Sequence, residues 1–313
     1  SPPRKPPYGR ARTPAILARE LVRPRARPRP TATTRTPKAP SAFIISSPPL
    51  KIPSILEPLW YTMAMFPKRL PCMMKYFGSK QRLAPKYPDP LHETVIEPFA
   101  GGAGYSLLHY RRNVKLYEKS PQVAAVWKFL IESGPGDILA LPIVEPGEFV
   151  SEMGLSVGAE YLIRSWLDIY TGGTTARDRR TSWPLKTWPD VPMYFWGEKC
   201  RQRIADHVQY LDHWECELVD DYSDIPNCEA TWFIDPPYQD QGNRYKYGSG
   251  DIDFESLGRW CRSRDGQVIV CENDGADWLP FVRHCEQTGV SYKNKKSKRS
   301  TEVIYTQGDG LLY

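Results

Sequence analysis

Apolar and polar positions along the chain from about residue 74 onward switch repeatedly between two periods. Short apolar runs at 94 to 99 (TVIEPF), 114 to 119 (VKLYEK), 216 to 219 (CELV), 231 to 234 (TWFI) and 267 to 273 (QVIVCEN) predict strands. Between them, Val123, Val126, Trp127, Leu130 and Ile131 recur at helical spacing. Ser120 and Pro121 supply an N-cap and a favoured first residue for that helix, and Gly134 ends it. A second helix carries Ala159, Leu162, Ile163, Trp166, Leu167 and Tyr170 on one face. The pattern also predicts helices through Leu107 and Leu108, at 198 to 212, near 254 to 262 and near 276 to 285, and strands near 290 and at 302 to 306. Residues 171 to 198 hold no period and are rich in Gly, Arg, Trp and Pro, the mark of a long irregular insertion, and such loops tend to be functional. Alternating strands and helices predict an α/β fold: an open, mostly parallel, Rossmann-like sheet with helices on both faces. Ligands of such sheets bind outside the carboxyl ends of the strands.

Composition narrows the class. No window is apolar enough to span a bilayer, so no membrane partner is expected. The seven cysteines (Cys72, Cys200, Cys216, Cys228, Cys261, Cys271, Cys285) are scattered and form no CxxC, which predicts reduced thiols in a cytoplasmic protein. The five histidines lack metal-ligand spacing, so no metal site is expected.

The net charge of +6 is unevenly placed. Residues 1 to 73 hold fourteen of the 42 basic residues but two of the 36 acids, leaving the remainder with six more acids than bases. The same segment holds 16 of the 31 prolines, as in RPRARPRP at 23 to 30, a composition that opposes packing. Residues 1 to 72 are therefore expected to be a disordered basic tail: a nucleic-acid-binding arm, a transit peptide, or sequence outside the working unit. Dense proline argues against the amphipathic helix of a transit peptide. Met73 and Met74 stand directly before the first ordered motif, and the working domain is expected to run from 73 to 313.

Three motifs carry chemistry. The strand at 231 to 234 ends in Asp235, Pro236, Pro237 and Tyr238. Proline has no N–H and holds the preceding residue extended, so a carboxylate and an aromatic ring are fixed on a stiff turn at a strand end. The first strand leads into EPFAGGAGYSLL (97 to 108), where Gly101, Gly102 and Gly104 permit a tight turn and close approach to a ligand. A dinucleotide fingerprint would need glycine at 107, where the chain has Leu, which disfavours a nicotinamide enzyme. A plain strand-to-helix turn would read the same. Glu118 closes the second strand, where an acid can accept the two hydroxyls of a ribose. KYFGSK (75 to 80) precedes the sheet and could close over a ligand or be a solvated entry loop.

Taken in order, KYFGSKQRLA, IEPFAGGAG, Glu118, an Arg- and aromatic-rich insertion and FIDPPY resemble the Dam-like (D12 class) adenine-N6 DNA methyltransferases over about residues 74 to 306. The resemblance implies a Rossmann-like S-adenosylmethionine-dependent sheet with a target-recognition insertion at about 145 to 198. It implies that Tyr76, Lys80, Glu97, Pro98, Phe99, Glu118, Asp221 and Asp235 bind or frame S-adenosylmethionine, with Gly101, Gly102 and Gly104 against its methionine part. Asp220 competes with Asp221 for contact with the cofactor adenine. The chain has Glu118 where relatives have Asp, and Tyr76 where they often have Trp.

The implied catalytic set is Asp235, Pro236, Pro237 and Tyr238. Asp235 and the Pro236 carbonyl would accept the two amino hydrogens of an adenine, whose lone pair is otherwise delocalised into the ring. Tyr238 would stack on a base flipped out of double-stranded DNA, contributing about 1–3 kcal/mol against an unstacking cost of a few. Candidate DNA contacts are Arg177, Arg179, Arg180 and Lys186, interleaved with Trp183 and Trp188, and the run holding Lys296, Lys298 and Arg299, for which a solvated loop is an equal reading. The expected protein is a monomeric, site-specific adenine methyltransferase of a bacterial or phage-infected cell, of the kind found in restriction-modification systems. Alternatives are an RNA adenine or DNA cytosine-N4 methyltransferase and a non-catalytic DNA-binding relative.

Overall fold

The computed structural model describes residues 66–167, 195–240, 247–289 and 298–308. Its elements run β1 (Thr94–Glu97), β2 (Asn113–Glu118), α1 (Pro121–Glu132), α2 (Pro135–Ala140), α3 (Val157–Leu167), α4 (Glu198–Val208), β3 (Glu215–Leu218), β4 (Ala230–Ile234), α5 (Phe254–Arg262), β5 (Gly266–Asn273), β6 (Val282–Gly289) and β7 (Lys298–Gln307). The seven strands form one sheet in the order β3-β2-β1-β4-β5-β7-β6. The first five are mutually parallel, and β7 runs antiparallel to both β5 and β6. This is the expected α/β, Rossmann-like, mostly parallel sheet, closed at one edge by a hairpin. Strand order reverses between β1 and β4, so the carboxyl ends of these two strands flank the switch point.

Side-chain alternation splits the strands between two cores. Val95, Val114, Leu116, Phe233, Ile269 and Cys271 face a core shared with α1, α3 and α4, centred on Trp127 and Trp166. Ile96, Tyr117, Trp232, Ile234, Val268 and Val270 face the other, shared with α5 through Leu257 and Trp260. Strands buried on both faces read as the continuous apolar runs of the sequence.

Two expected helices do not form. Through Leu107 and Leu108 the chain makes consecutive turns, because Ala103 sits at a φ of 44° and the Glu97 carboxylate takes the N–H of Ser106 at 2.8 Å. At 276 to 285 a loop leads into β6: Pro280 removes a helical donor, and Val282 pairs with Ile304 in the edge hairpin. The strand expected near 290 is the end of this one.

Packing reaches upstream of Met73. Leu70, Met73 and Met74 are fully buried, and the Leu70 N–H donates to the Leu107 carbonyl at 2.9 Å. One of the chain's two compact units spans Pro58–Tyr313. The expected tail falls almost wholly outside the described residues. Of the expected insertion, α3 belongs to the core: Leu162, Ile163 and Trp166 are buried, and the Trp166 indole donates to the Met73 carbonyl at 3.1 Å. Residues 168 to 194 lie outside the described residues.

Helix α3 meets α1 at Gly158, where a Cβ would overlap the Ala125 carbonyl oxygen and Phe129 Cβ. Gly158→Ala is expected to cost about 1–3 kcal/mol through overpacking, read as a lowered urea midpoint at unchanged slope.

Candidate active site

The entry segment reaches the sheet by lying directly on the glycine turn. The Tyr76 ring covers Gly101, where a Cβ would stand 2.8 Å from Cε1. A Cβ at Gly102 would meet Ser79 Oγ at 2.8 Å, and one at Gly104 would overlap the backbone nitrogen of Gln81. The three glycines therefore serve the close approach of 76 to 81, a neighbour that sequence alone did not assign them. Gly101, at a φ of 44°, is pinned from both sides: its N–H donates to Glu118 Oε2 at 2.9 Å and its carbonyl accepts the Trp127 indole N–H at 2.9 Å.

This packing delivers Lys80, in a short 3-10 turn, to the end of β4. Its Nζ lies 2.7 Å from Asp235 Oδ1, 3.8 Å from Glu302 Oε1 and 4.6 Å from the centre of the Tyr238 ring. Glu302, in β7, is fully buried, and its Oε1 accepts the hydroxyls of Tyr87 at 2.7 Å and Tyr238 at 2.6 Å. Burial works against the Lys80 charge, yet Asp235 and Glu302 outweigh it and hold its pKa above the usual lysine value. Burial pushes Asp235 up to about 6, against the opposing pull of Lys80. Burial likewise raises both Tyr87 and Tyr238, so each phenol keeps the proton it donates to Glu302.

Lys80, Asp235, Tyr238 and Glu302 open on one cavity of about 860 Å³, a size suited to a small-molecule ligand. Every residue assigned from sequence to catalysis or cofactor binding lines it: Asp235, Pro236, Pro237 and Tyr238 from the β4 end, Tyr76 and Lys80 from the entry segment, Glu97, Pro98, Phe99 and the three glycines from the β1 end, and Glu118 and Asp221 beyond. Asp221 lines the cavity and Asp220 does not. Asp221 caps the turn Tyr222–Asp224, accepting from the Ser223 N–H and hydroxyl at 2.9 and 2.7 Å. Glu118 accepts the Gly101 and Ser120 N–H groups on different oxygens and is also favoured in its charged form by the Lys119 backbone, which leaves part of the capacity of a carboxylate, about four positions, for a ligand hydroxyl. Burial raises its pKa despite these bonds, and raises that of Glu97 to about 8.

Sequence reasoning missed Glu302, Ser79 and Tyr247, which line the cavity, and Tyr87, which donates to Glu302. Glu302 had a signal: it is the lone acid in TEVIYT, an otherwise apolar and β-branched final strand. The proposed nucleic-acid contacts Arg177, Arg179, Arg180, Lys186 and Lys296 lie outside the described residues, as do the side chains of Lys298 and Arg299, whose backbone belongs to β7. Among the described residues no group of His, Cys, Asp and Glu is arranged to hold a metal ion, and no helix is long and apolar enough to cross a membrane.

No family model matches the chain, and no curated protein matches it. Among solved structures, a conserved hypothetical protein of Streptococcus pyogenes is similar over 72% of this chain and 91% of its own, at 10% identity and a TM-score of 0.28. The rRNA methyltransferase aviRa from Streptomyces viridochromogenes is similar over 72% of this chain and 81% of its own, at 13% identity and a TM-score of 0.31. Scores this low carry no argument about function, and the fold rests on the strand order itself.

The raised pKa of Glu97 has a definite sign. The folded state keeps a proton that the unfolded carboxyl releases near 4.5, so this contribution to stability is present at low pH and is lost as pH rises from about 4.5 through about 8. Glu97→Gln, which keeps an acceptor for the Ser106 N–H, is expected to gain stability relative to the parent steadily between pH 5 and pH 8. Urea midpoints of the two proteins across that range measure it.

Proposed function

We propose that the protein transfers a methyl group from S-adenosylmethionine to the exocyclic N6 amine of adenine in DNA. The observation that carries this reading is the Asp235-Pro236-Pro237-Tyr238 turn at the switch point, opening on a cavity whose buried wall has no cation to spare for a phosphate. Among the described residues the only buried cation is Lys80, already between Asp235 and Glu302, whereas Glu118 and Glu302 are buried acids of the same wall. Such a wall suits a ligand that brings positive charge and hydroxyls. S-adenosylmethionine fits: its sulfonium and ammonium are cationic, and its ribose hydroxyls match the free acceptor capacity of Glu118. It supplies an electrophilic methyl group.

The chain's own part is orientation and electrostatics. Asp235 and the Pro236 carbonyl are the two acceptors for the amino hydrogens, favouring a pyramidal nitrogen with an exposed lone pair. At neutral pH Asp235, with its pKa near 6, is an acceptor. The two prolines keep the acceptors from drifting apart. Tyr238 offers a ring already held by its hydroxyl bond to Glu302 and by Lys80 over its face, so little ordering is left to be done when a base stacks on it. Arg177, Arg179, Arg180, Lys186, Lys296, Lys298 and Arg299 are the proposed contacts to the duplex.

The test is transfer of labelled methyl to unmethylated DNA, and in parallel to RNA, by the full chain, followed by nucleoside digestion. N6-methyladenine from DNA is expected. Asp235→Ala should lower the rate at least about a hundredfold with the circular dichroism spectrum unchanged. Label confined to RNA, or near-parental turnover by that variant, would overturn the acceptor or the mechanism respectively.

A further inference from the structure

We propose that the hollow lined by Lys68, Arg111 and Arg112 is a docking surface for the phosphate backbone of the nucleic-acid substrate, separate from the cavity in which the chemistry takes place. That the polyanion is DNA rests on the function proposed above.

The hollow has a volume of about 410 Å³, and three bases, the rings of Phe66 and Tyr110, and no acid line it. It is built on the turn at 108 to 112 that leads into β2, so it stands at the amino ends of the strands, whereas the candidate active site stands at their carboxyl ends. The six residues of β2, at about 3.3 Å each, put roughly 20 Å between the two. A cofactor-sized molecule cannot touch both, but a polymer can.

Lys68 and Arg111 are exposed, and among the described residues neither pairs with an acid. Arg112 is held by Glu93 at 2.6 Å, an ion pair open to solvent and therefore weak enough to exchange for a phosphate. Arg111 is already positioned. Its Nε donates to the Tyr110 hydroxyl at 3.2 Å, and its guanidinium lies 5.0 Å from the centre of the Phe66 ring and 5.5 Å from that of Tyr110. Tyr110 is fixed in turn, donating to the Pro67 carbonyl at 2.9 Å and packing edge-on against Tyr210. These contacts leave the terminal NH2 groups of Arg111 for two phosphate oxygens, and an ordered side chain loses little freedom on binding. His109 also lines the hollow: burial pushes its pKa down to about 4, so it adds no charge, and its Nε2 has no hydrogen-bond partner among the described residues.

The adjoining sequence favours the same class of partner. Residues 1 to 65 hold twelve bases and two acids, so their charge adds to the attraction for a polyanion and makes them a poor occupant of a basic hollow.

The experiment is a fluorescence-anisotropy titration of a labelled duplex of about 30 base pairs with the full chain, at salt from about 50 to 200 mM. The slope of log affinity against log salt counts the phosphates engaged. In the K68A/R111A variant the slope is expected to be shallower by about 2, about 1 for each residue, with weaker binding throughout, while R111K keeps the parental slope. E93Q releases Arg112 and is expected to bind more tightly than the parent, a gain that misfolding cannot imitate. A parental slope in K68A/R111A, or no gain in E93Q, would overturn the inference, and methyl transfer to DNA by the parent would still uphold the proposed function. The expected change in slope with no methyl transfer by the parent would uphold the hollow and overturn the function. A parent that binds no DNA would overturn both.

Discussion

The ion pair between Lys80 and Asp235 is the contact on which the rest of the site depends. It joins residues 155 positions apart and ties the entry segment to the end of the central strand. Removing two charges from water costs several kcal/mol per ion, and one direct contact repays that only when further bonds complete the surroundings. Here Glu302 gives the ammonium a second carboxylate, the Tyr238 ring gives it an aromatic face, and the Gly78 carbonyl accepts from it at 3.3 Å. Taking away one member would strip a buried partner from the others, which is why the group acts as a unit.

The fold makes this convergence possible through two features of the sheet. The reversal of strand order places the ends of β1 and β4 side by side, so the glycine turn and Asp235 open on the same crevice. The antiparallel return of β7 beside β5 carries an acid from the last strand back to the same place. Register decides which residue arrives: Glu302 stands opposite Asn273, and a slip of one position would send its carboxylate to the other face of the sheet. The glycines complete the arrangement by allowing backbone to lie on backbone at 76 to 81.

Charge is distributed in the same spirit. The net positive charge is confined to the first 73 positions, the remainder is net acidic, and on the described cavity wall Lys80 is the one buried base beside the buried acids Glu118 and Glu302. A wall of that kind repels phosphate and attracts cations, so affinity for a polyanion would have to be local, arising from a few exposed bases away from the chemistry. On the function proposed above, separating the two tasks would let one domain hold a positively charged small molecule and a negatively charged polymer without conflict.

Much of this was legible in the chain. Continuous apolar runs gave the parallel strands because both faces of this sheet are buried, and the DPPY and glycine turns gave the cavity because prolines and glycines constrain backbone through local sterics. Helix α1 was legible from its cap, its spacing and its stop. The edge hairpin was not: residues 276 to 285 have the spacing of a helix, and only pairing of β6 with β7 makes strand of the part from Val282 on. The turns after Gly101 escaped for a similar reason, since the Glu97 side chain competes for backbone donors that a helix would have used. The role of Glu302 depends on partners 64 and 215 positions away, separations at which periodicity carries no information. Sequence by itself determined the elements and residues whose behaviour follows from local sterics and burial. The tertiary structure alone decided which charges share a site, because that is set by strand order and register, which bring together groups that are remote along the chain.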